Sequence, residues 1–204
     1  MSKDDLMLQI AQYSVPELCD GMEFYQTMDS EIRQIVGNGR IVGTAFTIDV
    51  PVGEGGYVAE ALLYAKTGDI IVISGKGNKR SSYWGDHRSI CAKKLGVTGV
   101  IVDGAFRDID GCESAGIPVF ARAVTPGTAL KTGKGRWGCP VACGGIVVNQ
   151  GDIIVADRNG ICAFPFSEAD EILARSREKI KNQNYTIHLM EETGKILTTV
   201  IQAE

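Results

Sequence analysis

Three residues near the middle of the chain have the types and the spacing for chemistry on a small acid. Asp86 follows Gly85, twenty residues separate it from Arg107, and Asp108 comes next. Arg107 can hold a carboxylate through two parallel hydrogen bonds. Asp108 offers the hard oxygen ligand that Mg²⁺ or Mn²⁺ prefers, and Asp86 can orient or deprotonate a water. The pattern predicts a site that holds a small acid and a divalent metal together.

A βαβ unit would position these residues. Apolar runs predict strands at 69–73 and 98–102, and helical spacing predicts a helix at 86–95 between them. A right-handed crossover makes the strands parallel, so the helix start and the loop after the second strand meet at one sheet edge. The first backbone N–H groups of a helix have no intrahelical partner and suit an anion. The N–H groups expected to bind substrate belong to Gly85, Asp86, His87 and Arg88.

The same residues allow a plainer interpretation. Arg107 and Asp108 could form a surface ion pair, and Asp86 could simply cap its helix. An adjacent arginine and aspartate is a weak motif by itself, so the sequence leaves both interpretations open.

Composition limits the class of protein. A chain of 204 residues with 44% apolar and 23% charged residues is sufficient for one sizeable globular domain. The net charge of −4 argues against a nucleic-acid surface. Neither a secretory leader nor an apolar run of about 20 residues is present, so we expect a cytoplasmic protein without a membrane span. The six cysteines, including Cys139 and Cys143, are expected to be free thiols.

The remaining pattern is typical of an α/β domain with a parallel centre over 68–121 and a more antiparallel second half. Segment 75–82 is expected to be a polar loop, and Ser167 is expected to cap a long helix. The predicted helices lie at 3–12, after Pro16, at 57–66, after Ser167 and at 185–200. The further predicted strands lie at 41–50, 117–121, 146–148, 153–156 and 161–164.

A family resemblance rests on Asp86, Arg107 and Asp108 with their surroundings. The surrounding segments are YWGD at 83–86, GVTGVIVDGAFRDID at 96–110 and GDIIVADRNG at 151–160. Together they resemble the class II 4-hydroxy-4-methyl-2-oxoglutarate aldolases, which belong with the regulator of ribonuclease activity A proteins. The similarity covers roughly residues 15 to 180. One departure is Asp86 itself, because many members have glutamate there.

The resemblance implies a fold, an assembly and an activity. The fold would be a single-domain β/β/α sandwich over 1–204, similar to the swivelling phosphohistidine domain, with helical N- and C-terminal segments. The assembly would be a homotrimer or a dimer of trimers with sites between subunits. The activity would be retro-aldol cleavage of 4-hydroxy-4-methyl-2-oxoglutarate to pyruvate, with oxaloacetate decarboxylation, through a metal-stabilised pyruvate enolate.

The resemblance also implies residue roles. Asp108 would hold Mg²⁺ or Mn²⁺, Arg107 would bind the pyruvyl group, and Asp86 would position a catalytic water. An acidic residue from a neighbouring subunit's C-terminal region would complete the site, and Glu191 or Glu192 are the candidates here.

Three other functions compete with this one. The first is a regulatory protein that inhibits ribonuclease E without catalysis, as some relatives do. The second is a methyltransferase, which the glycine-rich segment 37–43 does not favour because it precedes a strand and does not join a strand to a helix. The third is phosphotransfer through His87, although nothing marks that histidine as a nucleophile.

Overall fold

The chain folds as three layers in the computed structural model, which describes residues 3–23 and 26–203. A mixed sheet lies in the middle, a two-stranded sheet covers one face and helices cover the other. The helices are α1 (Lys3–Ile10), α2 (Val15–Gly21), α3 (Gly56–Ala61), α4 (Asp86–Leu95), α5 (Ile109–Ala115) and α6 (Ala169–Thr193). The strands are β1 (Arg33–Val36), β2 (Ile41–Asp49), β3 (Asp69–Ser82), β4 (Gly99–Phe106), β5 (Val119–Val124), β6 (Arg136–Trp137), β7 (Val141–Cys143), β8 (Ile146–Val148), β9 (Ile153–Asp157) and β10 (Gly160–Phe164).

The main sheet has the order β1-β5-β4-β3-β2-β9-β10, and β6 pairs with β2 beside this path. Strands β2, β3, β4 and β5 are parallel to their neighbours in this group, whereas β1, β6, β9 and β10 pair antiparallel. The predicted parallel centre and antiparallel second half are therefore confirmed. Strand β3, helix α4 and strand β4 form the predicted βαβ unit.

Alternation along the central strands divides the core between the two faces. On β3, Ile71 and Ile73 pack towards α3, α4 and α5, whereas Ile70 and Val72 pack towards β7 and β8. Successive side chains of a strand point to opposite faces, which is why one continuous apolar run can serve both layers. This gives the β/β/α layering that the family resemblance implied.

Helices α1, α2 and α6 cover the antiparallel end of the sheet. Their apolar side chains pack against Ile153 and Val155 of β9 and against Cys162 and Phe164 of β10. Ser14 begins α2 with a reciprocal capping box to Glu17.

Two strands are longer than the sequence predicted. Segment 75–82, expected to be a loop, continues β3 as a polar extension, and pairing with β4 resumes there after shifts in register. Lys76 (φ 58°) and Gly77 (φ 69°) take the left-handed backbone conformation at this bend. Strand β4 runs past Asp103 to Phe106, because the Asp103 carboxylate accepts hydrogen bonds from Arg122 and the Gly144 N–H and can remain buried.

Helix α6 also differs from the prediction. It runs unbroken to Thr193 and ends at Gly194 (φ 66°), so the separate helix expected at 185–200 is wrong. The following segment folds back along α6, where the Ile201 N–H donates to Thr186 Oγ1 at 2.8 Å. Ser167 does not cap α6, because it lies in a 3₁₀ turn that leads into the helix.

Several elements were not predicted. They are the short strands β1, β6 and β7 and helix α5. Helix α5 has only Cys112 fully buried, so its apolar periodicity is faint.

Tyr83 ties the bend of β3 to the segment before α3. The side chain is fully buried, and its hydroxyl accepts from the Gly53 N–H at 2.9 Å and from Asn78 Nδ2 at 3.0 Å. The same hydroxyl donates to the Gly75 carbonyl at 3.0 Å.

Glu54 holds a second connection nearby. Its buried carboxylate accepts from the N–H groups of Gly56 and Tyr57 and from both the N–H and hydroxyl of Thr132. Burial raises the pKa of Glu54, but these hydrogen bonds outweigh it and bring the pKa below its usual value of 4.5. The carboxylate thus joins the start of α3 to segment 127–132.

We predict that Tyr83→Phe destabilises the fold by about 1–3 kcal/mol, which is a fall in Tm of roughly 2–10 °C for a chain of this size. The loss arises because the buried Gly53 N–H is left without its acceptor. Thermal unfolding followed by circular dichroism measures it. Tyr64→Phe is the matched control, since that tyrosine is 58% exposed. Equal Tm values for the two variants would contradict the role given to the Tyr83 hydroxyl.

We predict that Glu54→Gln lowers the free energy of unfolding by about 1–3 kcal/mol at neutral pH. The folded-state pKa of Glu54 is lowered, so its stabilisation is present above the unfolded value near 4.5 and is lost as the pH falls through the folded value. Urea unfolding at several pH values should therefore show the difference from wild type shrinking below about pH 4.5. Glu60→Gln, on the exposed side of α3, is the control. A difference that grows on acidification would refute this assignment.

Candidate functional site

The sequence-predicted site residues meet in one cavity of about 260 Å³ at the carboxyl edge of β3 and β4. Helix α4 supplies one wall and the turn between β4 and α5 supplies another. The lining residues are Gly55, Ala59, Ser82, Gly85, Asp86, His87, Arg88, Arg107, Asp108, Thr128, Ala129, Leu130 and Lys131. The βαβ argument therefore placed Asp86 and the Arg107–Asp108 pair together correctly.

Gly85 makes the close approach of these two walls possible. A Cβ on Gly85 would lie 2.8 Å from Asp108 Oδ2 and 3.5 Å from Arg107 Cγ. The first of these distances is shorter than real Cβ contacts, so any side chain at this position would displace the Asp108 carboxylate, whereas the Arg107 carbonyl oxygen of the turn lies at an ordinary 3.8 Å. The Arg107 N–H donates to the Trp84 carbonyl at 3.1 Å and holds the two segments in this arrangement.

Asp108 is held in an unusual backbone conformation. Its φ of 62° and ψ of 52° lie in the left-handed region, which costs a non-glycine residue on the order of 1 kcal/mol. Its carboxylate makes no capping hydrogen bond to α5, although it occupies the N-cap position. Oδ2 instead lies 3.1 Å from Arg107 Nε. The surface ion pair of the plainer interpretation is thus present, but its members line a cavity and are 44% and 38% exposed.

The start of α4 is partly capped by its own first residue. Asp86 Oδ1 accepts from the His87 N–H at 2.6 Å, so one of the four predicted amides already has a partner. The first intrahelical hydrogen bond runs from the Ser89 N–H to the Gly85 carbonyl. Asp86 packs closely against Gly111 of α5. A Cβ on Gly111 would lie only 2.5 Å from Asp86 Cβ.

A buried chain of hydrogen bonds holds the backbone carbonyl of Arg107. Trp84 Nε1 donates to Ser89 Oγ at 2.8 Å, Ser89 Oγ donates to Cys112 Sγ at 3.3 Å, and Cys112 Sγ donates to the Arg107 carbonyl at 3.6 Å. Burial raises the pKa of the Cys112 thiol, and the negative charges of Asp108 and Asp86 raise it further. The hydrogen bond with Ser89 opposes this shift. The thiol therefore stays protonated at neutral pH and acts as a donor here.

The side chain of Arg88 joins the site in a way that the sequence did not indicate, since only its backbone N–H was predicted to bind. Nη2 reaches across the cavity and donates to the Gly55 carbonyl at 2.7 Å. Nε is buried and has no hydrogen-bond partner in the described part of the chain. Burial and the positive charge of Arg107 lower the pKa of Arg88, and Glu54 opposes them.

The far wall was also missed by the sequence analysis. It consists of Gly55 and segment 128–131, which the hydrogen bonds of Glu54 and Leu130 tie to the start of α3. The glycine-rich turn at 53–56 was visible in the sequence, but no spacing rule connects it to a segment about 75 residues later.

The donor set suits a hard divalent cation that keeps most of its own water. Among residues 3–23 and 26–203, no group of three or more His, Cys, Asp or Glu side chains could hold a metal ion. Mg²⁺ is commonly bound by one or two carboxylates plus water and substrate oxygens, and the carboxylate of Asp108 fits that mode of binding.

The structure places the remaining candidate residues and segments from the sequence as follows. Glu192 pairs with the exposed His188 at 3.2 Å near the end of α6, and neither Glu191 nor Glu192 lines the cavity of its own chain. Segment 37–43 turns between β1 and β2, as the sequence indicated, and not between a strand and a helix. His87 is exposed, with Nδ1 3.9 Å from Cys91 Sγ.

All six cysteines are free, as expected. No helix in the described ranges is both long enough and apolar enough to cross a membrane.

Comparison with known proteins extends these local similarities to most of the chain. A protein from Halalkalibacterium halodurans named "Putative 4-hydroxy-4-methyl-2-oxoglutarate aldolase" is 34% identical over 168 residues, which are 81% of this chain and 80% of that protein. The RNA-processing inhibitor RraA from Thermus thermophilis is 26% identical with a TM-score of 0.70, over 75% of this chain and 93% of that one.

A second solved structure has the same fold. It is an RNase ES inhibitor RraA family member from Streptomyces coelicolor, with a TM-score of 0.82 and 23% identity over 93% of this chain and 100% of that one. The family model described as RraA-like, Aldolase/RraA, matches residues 15–163. Since this match includes both walls of the cavity and the sheet that carries them, the chain belongs to the RraA-like family.

Proposed function

We propose that the protein is a divalent-metal-dependent carbon–carbon lyase that cleaves 4-hydroxy-4-methyl-2-oxoglutarate to pyruvate and also decarboxylates oxaloacetate. The observation that carries the proposal is the joint placement of Arg107, Asp108 and the start of α4 around one small cavity. Relatives named as 4-hydroxy-4-methyl-2-oxoglutarate aldolases support the choice of substrate.

Arg107 would bind the carboxylate and keto oxygen of the 2-oxo acid. The backbone of Arg107 is fixed, because its N–H and carbonyl both make hydrogen bonds to the buried segment behind the cavity, and its Nε lies 3.1 Å from Asp108 Oδ2. A fixed cation beside the keto oxygen stabilises the negative charge that develops there in the transition state. The free N–H groups at the start of α4 would bind the same carboxylate.

Asp108 would hold Mg²⁺ or Mn²⁺, either directly or through water. When bound, the cation supplies Lewis acidity next to the keto oxygen of the substrate. The Asp108 carboxylate makes no capping hydrogen bond to the α5 amides, and it lines the cavity beside Arg107.

Asp86 would position the water that accepts the C4 hydroxyl proton. Its Oδ1 is held by the His87 N–H, so Oδ2 remains to orient a water. In the aldol cleavage the C3–C4 bond breaks, its electron pair passes to the keto oxygen, and the resulting enolate takes a proton at C3. Cleavage gives two pyruvates, and the same electron flow from oxaloacetate gives carbon dioxide and pyruvate.

We also propose assembly as a homotrimer or a dimer of trimers. Arg107 and Asp108 line a second, open depression of about 650 Å³ together with segment 124–126. A neighbouring subunit could bring an acidic side chain such as Glu191 or Glu192 to this side of the pair. Light scattering of the purified protein measures the assembly, and a monomer at micromolar concentration would refute it.

We predict metal-dependent pyruvate release from both substrates by the wild-type protein. Arg107→Ala and Asp108→Ala should each lower kcat/KM by about 100-fold or more, because each removes a charge that stabilises the transition state. EDTA should abolish turnover and added Mg²⁺ or Mn²⁺ should restore it. Coupling to lactate dehydrogenase reads out pyruvate.

The matched controls are Arg158→Ala and Asp170→Ala, which remove exposed charges outside the cavity. They should retain wild-type activity. Absence of turnover with either substrate in a folded, metal-loaded wild-type oligomer would contradict the lyase assignment and favour a non-catalytic regulatory role.

A further inference from the structure

Arg88 is a cation without a matching carboxylate. No acidic side chain in residues 3–23 and 26–203 forms an ion pair with it. The negative charge of Glu54 raises the pKa of Arg88, but the Glu54 carboxylate already accepts hydrogen bonds from Thr132, Gly56 and Tyr57. Within the described part of the chain, the guanidinium makes one hydrogen bond, to the neutral Gly55 carbonyl.

This arrangement is costly for Arg88. A half-buried guanidinium loses hydration, and a buried N–H without an acceptor adds a penalty on the order of 1–3 kcal/mol. A ligand that offers an acceptor can relieve such a cost. An anion beside Arg88 would both neutralise the charge and offer acceptors to its free N–H groups.

The charged side chains of the cavity favour an anionic ligand. Its charged lining consists of three cationic side chains, Arg88, Arg107 and Lys131, and two carboxylates, Asp86 and Asp108. Arg107 is neutralised by Asp108 at 3.1 Å, whereas Arg88 is not neutralised in this way. The two guanidinium groups belong to different walls, since Arg107 lies on the β4–α5 turn and Arg88 reaches from α4 to Gly55.

We propose that the Arg88 side chain is the specificity-determining residue for the distal carboxylate of a dicarboxylic 2-oxo acid. The inference rests on the proposed function, in which Arg107 and the α4 amides take the carboxylate next to the keto group. Arg88 then receives the carboxylate at the other end of the molecule. The cavity of about 260 Å³ admits a four- to six-carbon acid between them.

A pair of acids of equal length isolates this role. 2-Oxoglutarate and 2-oxopentanoate share the 2-oxo carboxylate and differ in whether the chain ends in a carboxylate or a methyl group. Neither needs to be cleaved, so isothermal titration calorimetry in Mg²⁺ buffer measures their Kd values directly. We predict that the wild-type protein binds 2-oxoglutarate about 10- to 100-fold more tightly, the range expected for one charged hydrogen-bonded pair.

Arg88→Met should reduce this preference to about threefold or less, because it keeps an unbranched side chain but removes the charge. Arg88→Lys should retain part of the preference, since it keeps the charge without the planar fork. Lys94→Gln is the control that removes a cation from the exposed end of the same helix, and it should leave the preference unchanged.

A purely structural role gives a different pattern. If Arg88 only tethers Gly55, Arg88→Met weakens both acids equally and the wild-type preference survives, which overturns the inference. Wild-type binding of both acids with equal affinity also overturns it while leaving the 2-oxo acid site intact. Failure of the wild-type protein to bind either acid refutes the proposed function and the inference together.

Discussion

The close contact between Gly85 and the Arg107–Asp108 turn is the constraint on which the whole site depends. It exists because Gly85 has no Cβ, and because parallel pairing of β3 with β4 brings the ends of both segments to one edge. The contact lets the start of α4 face an arginine and a carboxylate across a small space. The buried Trp84–Ser89–Cys112 chain keeps this geometry in place against the strain of the left-handed Asp108 backbone.

The arrangement of charges follows from the same contact. Arg107 and Asp108 neutralise each other, so the pair costs little to hold half-exposed. A substrate carboxylate and a cation could replace this internal pairing with two external ones. Arg88 has no such carboxylate partner among the described residues, and this difference between the two arginines underlies the proposed preference for dicarboxylic acids.

The sequence predicted the part of the site that lies within one βαβ unit. The apolar runs of β3 and β4 and the helix between them are local patterns, so the meeting of Asp86 with Arg107 and Asp108 followed from strand polarity alone. The predicted outer bounds of β3 and β4 were wrong because both strands continue through polar residues. Asp103 stays inside a strand through Arg122, a partner 19 residues away that no local pattern reveals.

The far wall could not be predicted for a similar reason. Glu54 and Thr132 are 78 residues apart, and their hydrogen bonds exist only once α3 and segment 127–132 are packed together. The conformation of the Arg88 side chain likewise depends on the Gly55 carbonyl across the cavity. The mixed α/β layering was predictable, because alternating and continuous apolar runs determine which strands are covered on one face or on both.

The most direct test of the account is the binding of oxalate, a stable analogue of the pyruvate enolate, to the wild-type protein and to Gly85→Ala. Calorimetry with Mg²⁺ and with EDTA measures the affinity, and circular dichroism verifies that the variant is folded. The account predicts Mg²⁺-dependent binding by the wild-type protein and a loss of about tenfold or more in Gly85→Ala, since the added Cβ displaces Asp108. Equal binding by both proteins, or binding that does not depend on Mg²⁺, would contradict the claim that this contact creates a metal-assisted site for 2-oxo acids.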